Sequence, residues 1–159
     1  MEMQASIHLR FEEDIPPEQA KELRRLLRKA IRETLLMQGV AGNCEVSVLI
    51  STDERIQNLN NQFLGVDAPT DVLAFPADVV DPQSGRRYLG DVMISLPRAM
   101  AQAQSGGHPL QDEILLLAVH GVLHLLGFDH ADEKTKKMMW DVQSAVLERV
   151  GCAKVNPDE

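Results

Sequence analysis

Residues 109–130 read PLQDEILLLAVHGVLHLLGFDH, and the fold turns on how this segment is buried. Pro109 suits the first turn of a helix, where its missing N–H is no loss. Gly127 can take the left-handed conformation that ends one. Between them Ile114, Leu115, Leu116, Leu117, Val119, Val122, Leu123 and Leu125 leave no polar side, so the pattern predicts a core helix ending near Leu126. The apolar stretch from Ile114 to Phe128 is broken by two histidines and falls short of the roughly 20 residues a membrane span needs. Other elements must therefore wrap around it.

Those elements are legible on both sides. Residues 5–11 alternate through Ile7, Leu9 and Phe11, and residues 44–50 through Val46, Val48 and Ile50, which predicts two half-buried strands. Pro16 and Pro17 open a helix to about Met37, with Leu23, Leu27, Ala30, Ile31 and Leu35 on one face. Ser51 and Glu54 have capping-box spacing and predict a short helix toward Phe63, followed by a loop from Gly65 to Thr70. Val72–Val80 and Tyr88–Ile94 predict two strands joined through a turn at residues 81–85. Pro97 begins a helix that Ser105, Gly106 and Gly107 end, and Asp132 caps a last helix reaching about Val150. The fold class is α+β: one domain over residues 1–150, with a mixed sheet of about four strands packed with helices. Residues 151–159 are expected to be a flexible tail.

Composition narrows the function classes. A chain of 159 residues can bury a sizeable core, and its two cysteines, Cys44 and Cys152, form no C-x-x-C pair, which predicts reduced thiols in a reducing compartment. The N-terminus lacks a basic start followed by an apolar run, so a cytoplasmic location is expected. The formal net charge of −8 argues against a protein that coats nucleic acid through its whole surface.

Three of the five histidines fall within the eleven residues His120 to His130. His120 and His124 are four apart on the core helix, so both imidazoles leave the same face, at the spacing that can hold one zinc ion. Gly127 turns the chain so that His130 can approach from another direction. Three ligands would leave a tetrahedral ion one open position, the catalytic rather than the structural arrangement. The plain alternative, ordinary core histidines, requires three imidazoles to find separate partners among leucines, which is costly. Glu113, two turns before His120, lies on the same stripe and could orient a ligand, contact substrate, or complement the helix N-terminus. Asp129 could support the third histidine or compete with it. His8 and His108 have no such neighbours and read as surface or structural residues.

The spacing His-x3-His-x5-His is also that of the metzincin proteases, including a glycine at position 127. The residue after their first histidine is the glutamate general base. Here it is Gly121, which can neither take nor give a proton, so peptide hydrolysis by that route is excluded.

HGVLHLLGFDH resembles the H-G-x-L-H-L-x-G-[YF]-D-H signature of the YbeY family, bacterial endoribonucleases that mature and survey ribosomal RNA. Leu59-Asn60 with Phe63, PTDVLAFP over residues 69–76 and LGDVMIS over residues 89–95 match the family's other blocks in order. The resemblance implies a zinc cofactor held by His120, His124 and His130, single-stranded RNA as substrate, and the small ribosomal subunit as partner. Two positions depart from the pattern. Leu64 stands where many members have an arginine implicated in activity, with Arg55 of the same expected helix as a conceivable substitute. Ala74 replaces a common serine. Lys21, Arg25, Arg28 and Arg32 recur at steps of four, three and four, and could give the first long helix a phosphate-contacting face, although Glu18, Glu22 and Glu33 could equally balance it. The alternatives from other classes are a ribosome-assembly or RNA-binding factor with a mainly structural zinc, and a metal-dependent hydrolase of another substrate.

Overall fold

A computed structural model describes residues 2–129 and 132–152. His130 and the end of the expected tail, residues 153–159, lie outside the described residues. The elements are β1 (Gln4–Phe11), α1 (Pro17–Met37), β2 (Asn43–Ser51), α2 (Asp53–Leu64), β3 (Val72–Val80), β4 (Arg87–Ser95), α3 (Leu96–Gly106), α4 (Leu110–Leu125) and α5 (Glu133–Arg149). The expected α+β class holds.

The sheet has the order β1-β2-β4-β3. β1 runs parallel to β2 because α1 carries the chain back between them, and β2 runs parallel to β4. The β3–β4 hairpin is antiparallel. Alternation along the strands makes one face apolar: Cys44, Val46, Val48 and Ile50 on β2, with Val92 and Ile94 on β4, are buried. α4 lies over this face and packs against α1, α3, α5, β3 and β4. From Asp112 to Leu125 every residue of α4 is buried except His120 and His124. α1 buries Leu23, Leu27, Ala30, Ile31 and Leu35, and its Lys21, Arg25, Arg28 and Arg32 are exposed. Among the described residues, no helix is long and apolar enough to cross a membrane.

The helix ends follow local chemistry, with one correction. The cap of α2 is Thr52, whose hydroxyl accepts from the Arg55 N–H at 3.0 Å, and not Ser51. Ser51 is still paired in β2 opposite Ser95 and donates to the Glu12 carboxylate at 2.7 Å, so the helix begins one residue later than the capping-box spacing suggests. Asp132 caps α5 as expected, accepting from the Thr135 N–H at 2.7 Å. α4 ends in a Schellman motif: the Phe128 N–H bonds to the Leu123 carbonyl at 3.1 Å and the Gly127 N–H to that of His124 at 3.0 Å. Gly127 has φ 102°, the left-handed turn its sequence position predicts.

Both cysteines are free thiols. Burial, together with the neighbouring Asp112, pushes the Cys152 thiol up from 9.0 to about 12. The protonated form is thus favoured in the folded chain. Its contribution to stability is complete below pH 9 and is lost as the pH rises toward 12, where only the unfolded chain would otherwise be ionised. Since the thiolate is the nucleophile, iodoacetamide at pH 8.5 should label Cys152 at least about 50-fold more slowly in the folded than in the urea-unfolded chain. Equal rates would contradict the burial of this thiol.

Candidate metal centre

His120 and His124 occupy the last two turns of α4, and their rings meet edge to face with centroids 4.6 Å apart. The two Nε2 atoms converge to 3.0 Å. Two nitrogens at 2.0–2.1 Å from one tetrahedral ion would lie about 3.3 Å apart, so this pair needs only a slight opening to share one. Nδ1 of His120 is 2.7 Å from Oε1 of Gln143, a residue of α5. An imidazole with a partner on Nδ1 and a converging Nε2 has the form of a metal ligand. The residues present therefore fit the ion. Among the described residues no group of three His, Cys, Asp or Glu side chains could hold a metal, and the expected third ligand, His130, lies outside them.

The histidines open onto two adjoining depressions. One, of about 300 Å³, is walled by His120 and His124 on one side and by Leu64, Asp71, Val72 and Ala74 on the other. The second, of about 220 Å³, shares Asp71, Val72 and His120 and adds Glu113 and Gln143. The start of β3 thus forms the wall facing α4. Gly121 lets the helix sit close to the sheet: a Cβ there would lie 2.5 Å from Cγ1 of Val92. That position faces β4, so a side chain at the metzincin glutamate position would meet the core.

The remaining sequence candidates are distributed as follows. Glu113 is buried at the second depression, and Nε2 of His108 lies 2.6 Å from its Oε1, which gives His108 a partner the sequence did not reveal. His8 likewise meets the Glu45 carboxylate at 2.8 Å. Asp129 is exposed in the segment after α4. Arg55 is at the start of α2 with its guanidinium 3.5 Å from Glu12, whereas Leu64 ends the same helix, about 13 Å of axial rise away. The structure thus puts Leu64, and not Arg55, on the wall of the histidine depression. Lys21, Arg25, Arg28 and Arg32 line neither depression. Arg25 is tied to Glu22 by two bonds of 2.7 and 3.0 Å, which lowers the carboxyl's pKa through the hydrogen bond first. Arg28 reaches the Ile7 carbonyl at 3.5 Å.

Two residues of the site are not singled out by the sequence. Asp71 stands inside the PTDVLAFP block, where the block as a whole carries the signal and the single carboxylate does not. Gln143 carries a fainter signal, a polar residue in the α5 stripe of Met139, Val146 and Leu147.

Comparison with known proteins places the chain in a family. The family model described as Endoribonuclease YbeY matches residues 9–151. The chain is 43% identical over 136 residues to the endoribonuclease YbeY of a Sulfurihydrogenibium species, covering 84% of this chain and 88% of the relative. It is 38% identical over 154 residues to that of Desulfitobacterium hafniense, covering 91% and 97%. A solution structure of a Thermotoga maritima protein aligns over 97% of this chain and 99% of its own, with a TM-score of 0.58 at 26% identity. With its histidine helix, its four-stranded mixed sheet and a family match spanning nearly the whole described chain, this protein belongs to the endoribonuclease YbeY family.

Proposed function

We propose that the chain is a zinc-dependent endoribonuclease acting on single-stranded segments of ribosomal RNA, in the cytoplasm and at the small ribosomal subunit, during maturation and quality control. The observation that carries the hydrolase reading is the convergence of His120 and His124 on one point at the mouth of an open depression. A mainly structural ion favours a closed set of protein ligands, whereas this pair faces space a substrate can enter. RNA as the substrate class comes from the family, and ribosomal RNA from the signature and the three further blocks.

His120 and His124, with His130 as the expected third ligand, would hold the ion. When bound, zinc polarises a phosphoryl oxygen and lowers the pKa of an attacking water. The chain supplies the surroundings. The backbone at Gly121 offers no acid or base, so the proton transfers do not follow the metzincin scheme. Among the described residues, Asp71 and Glu113 are the carboxylates lining the two depressions, and Glu113 is engaged by His108. Phe63, 59% exposed beside Leu64, offers a ring face on which an unpaired base can stack, which suits single-stranded substrate.

The test is cleavage of structured ribosomal RNA by purified protein, with and without chelator. Cleavage that stops with chelator and returns with zinc supports the proposal; cleavage that persists overturns metal dependence. A 2′,3′-cyclic phosphate on the products would assign attack to the ribose 2′-OH, and only 3′-hydroxyl ends would exclude it.

Phosphate binding is assigned to the exposed α1 face, because a chain of net charge −8 needs a local basic surface. Replacing Lys21, Arg25, Arg28 and Arg32 by glutamine should weaken RNA binding. It should also reduce the slope of log affinity against log salt by about 0.7 for each phosphate that is no longer neutralised. Filter binding at several salt concentrations reads this directly, and an unchanged slope refutes the assignment.

A further inference from the structure

Helix α5 packs on the core through Met139, Gln143, Val146 and Leu147, all buried. The polar member, Gln143, is 1% exposed. Its Oε1 lies 2.7 Å from Nδ1 of His120, while its Nε2 has no hydrogen-bond partner among the described residues. A leucine in this stripe would leave no buried donor unsatisfied, so packing alone does not account for an amide here.

We propose that Gln143 is a positioning residue for His120, fixing both the rotation and the tautomer of that ring; the proposal rests on the metal reading above. The amide group can be placed in two orientations, and its surroundings choose between them. The depression beside Gln143 includes the acidic residues Asp71 and Glu113, whose charge favours the NH2 over the carbonyl on that side although neither carboxylate is within hydrogen-bond reach of it. Oε1 then faces His120, and the ring must present its N–H at Nδ1. A proton on Nδ1 leaves the lone pair on Nε2, the nitrogen that converges with Nε2 of His124. The opposite tautomer would place a hydrogen where a ligand needs its lone pair. α5 thereby prepares a ligand on α4 before any ion arrives, and a ring tethered at Nδ1 cannot swing away from the depression.

The experiment titrates Zn²⁺ against a chromophoric chelator with wild type, Gln143→Leu and Gln143→Met, each checked by thermal melting. Both substitutions remove the acceptor at similar volume. Each should weaken zinc binding 10- to 100-fold. The methionine variant carries the test should the leucine variant melt early. Wild-type affinity in both variants overturns the proposal. Long-range ¹H–¹⁵N spectra of the metal-free chain give a readout independent of zinc. His120 should be protonated at Nδ1 in wild type and lose that preference in Gln143→Leu. Protonation at Nε2 in wild type would overturn the proposal even where zinc binds. A wild type that binds no zinc at all refutes the metal reading instead, so the two failures are distinguishable.

Discussion

Replacing His124 with alanine should lower RNA cleavage by more than about a thousandfold, equivalent to about 4 kcal/mol of transition-state stabilisation, while leaving the chain folded. The side chain is half-buried at the mouth of a depression, and its Nε2 is one of the two nitrogens that converge 3.0 Å apart. Its loss would remove a proposed metal ligand without opening a cavity in the packed layer, because Leu123 and Leu125 on either side remain buried. Zinc content, cleavage rate and melting temperature should therefore separate: the first two fall and the third moves by a few degrees. Parallel collapse of all three would indicate an ion that holds the fold together, as the assembly-factor alternative requires. Unchanged cleavage with zinc absent would overturn metal dependence.

Gly90→Ala should be among the most destabilising single changes outside the site, by about 3–5 kcal/mol, or roughly 10 °C in melting temperature. Gly90 lies in central strand β4, paired with Val46 of β2 on one side and Pro76 of β3 on the other. Its φ is 137°, a conformation that side-chain-bearing residues rarely adopt. A Cβ there would run into the carbonyl oxygen of Phe75, and would lie 2.9 Å from Cδ2 of Leu125 and 3.0 Å from Cα of Pro76. Two of these three neighbours are backbone atoms, so no rotamer change relieves them. Leu125 directly follows His124 in α4. At Gly121 the obstacle is the side chain of Val92, so alanine there should cost less, about 1–3 kcal/mol. A Gly90→Ala melting temperature within about 3 °C of wild type would refute the close approach of β3 to β4 at this position.

The helix boundaries show where local chemistry suffices. Asp132 and Gly127 act through neighbours within four residues, so their roles are readable from the chain alone. Ser51 has the spacing of a cap without the role, because its partner is Glu12, 39 residues away. Local spacing does not show that the strand continues through it. His108 is a subtler case: Glu113 is only five residues on, but their pairing depends on how the chain turns into α4.

The sequence by itself determined the core helix, since a segment apolar on all sides has no stable place but the interior. It also determined that His120 and His124 share a face, because helical periodicity is a local property of the backbone. The family signature and the lack of an acid at Gly121 are likewise properties of consecutive residues. Only the tertiary structure decided that Gln143 reaches His120, that Asp71 and Leu64 wall the depression, and that Arg55 lies at the far end of α2 from it. These relations join residues on different elements. Their positions follow from how α4 settles against β4 and α5, a packing solution that no window of neighbouring residues encodes.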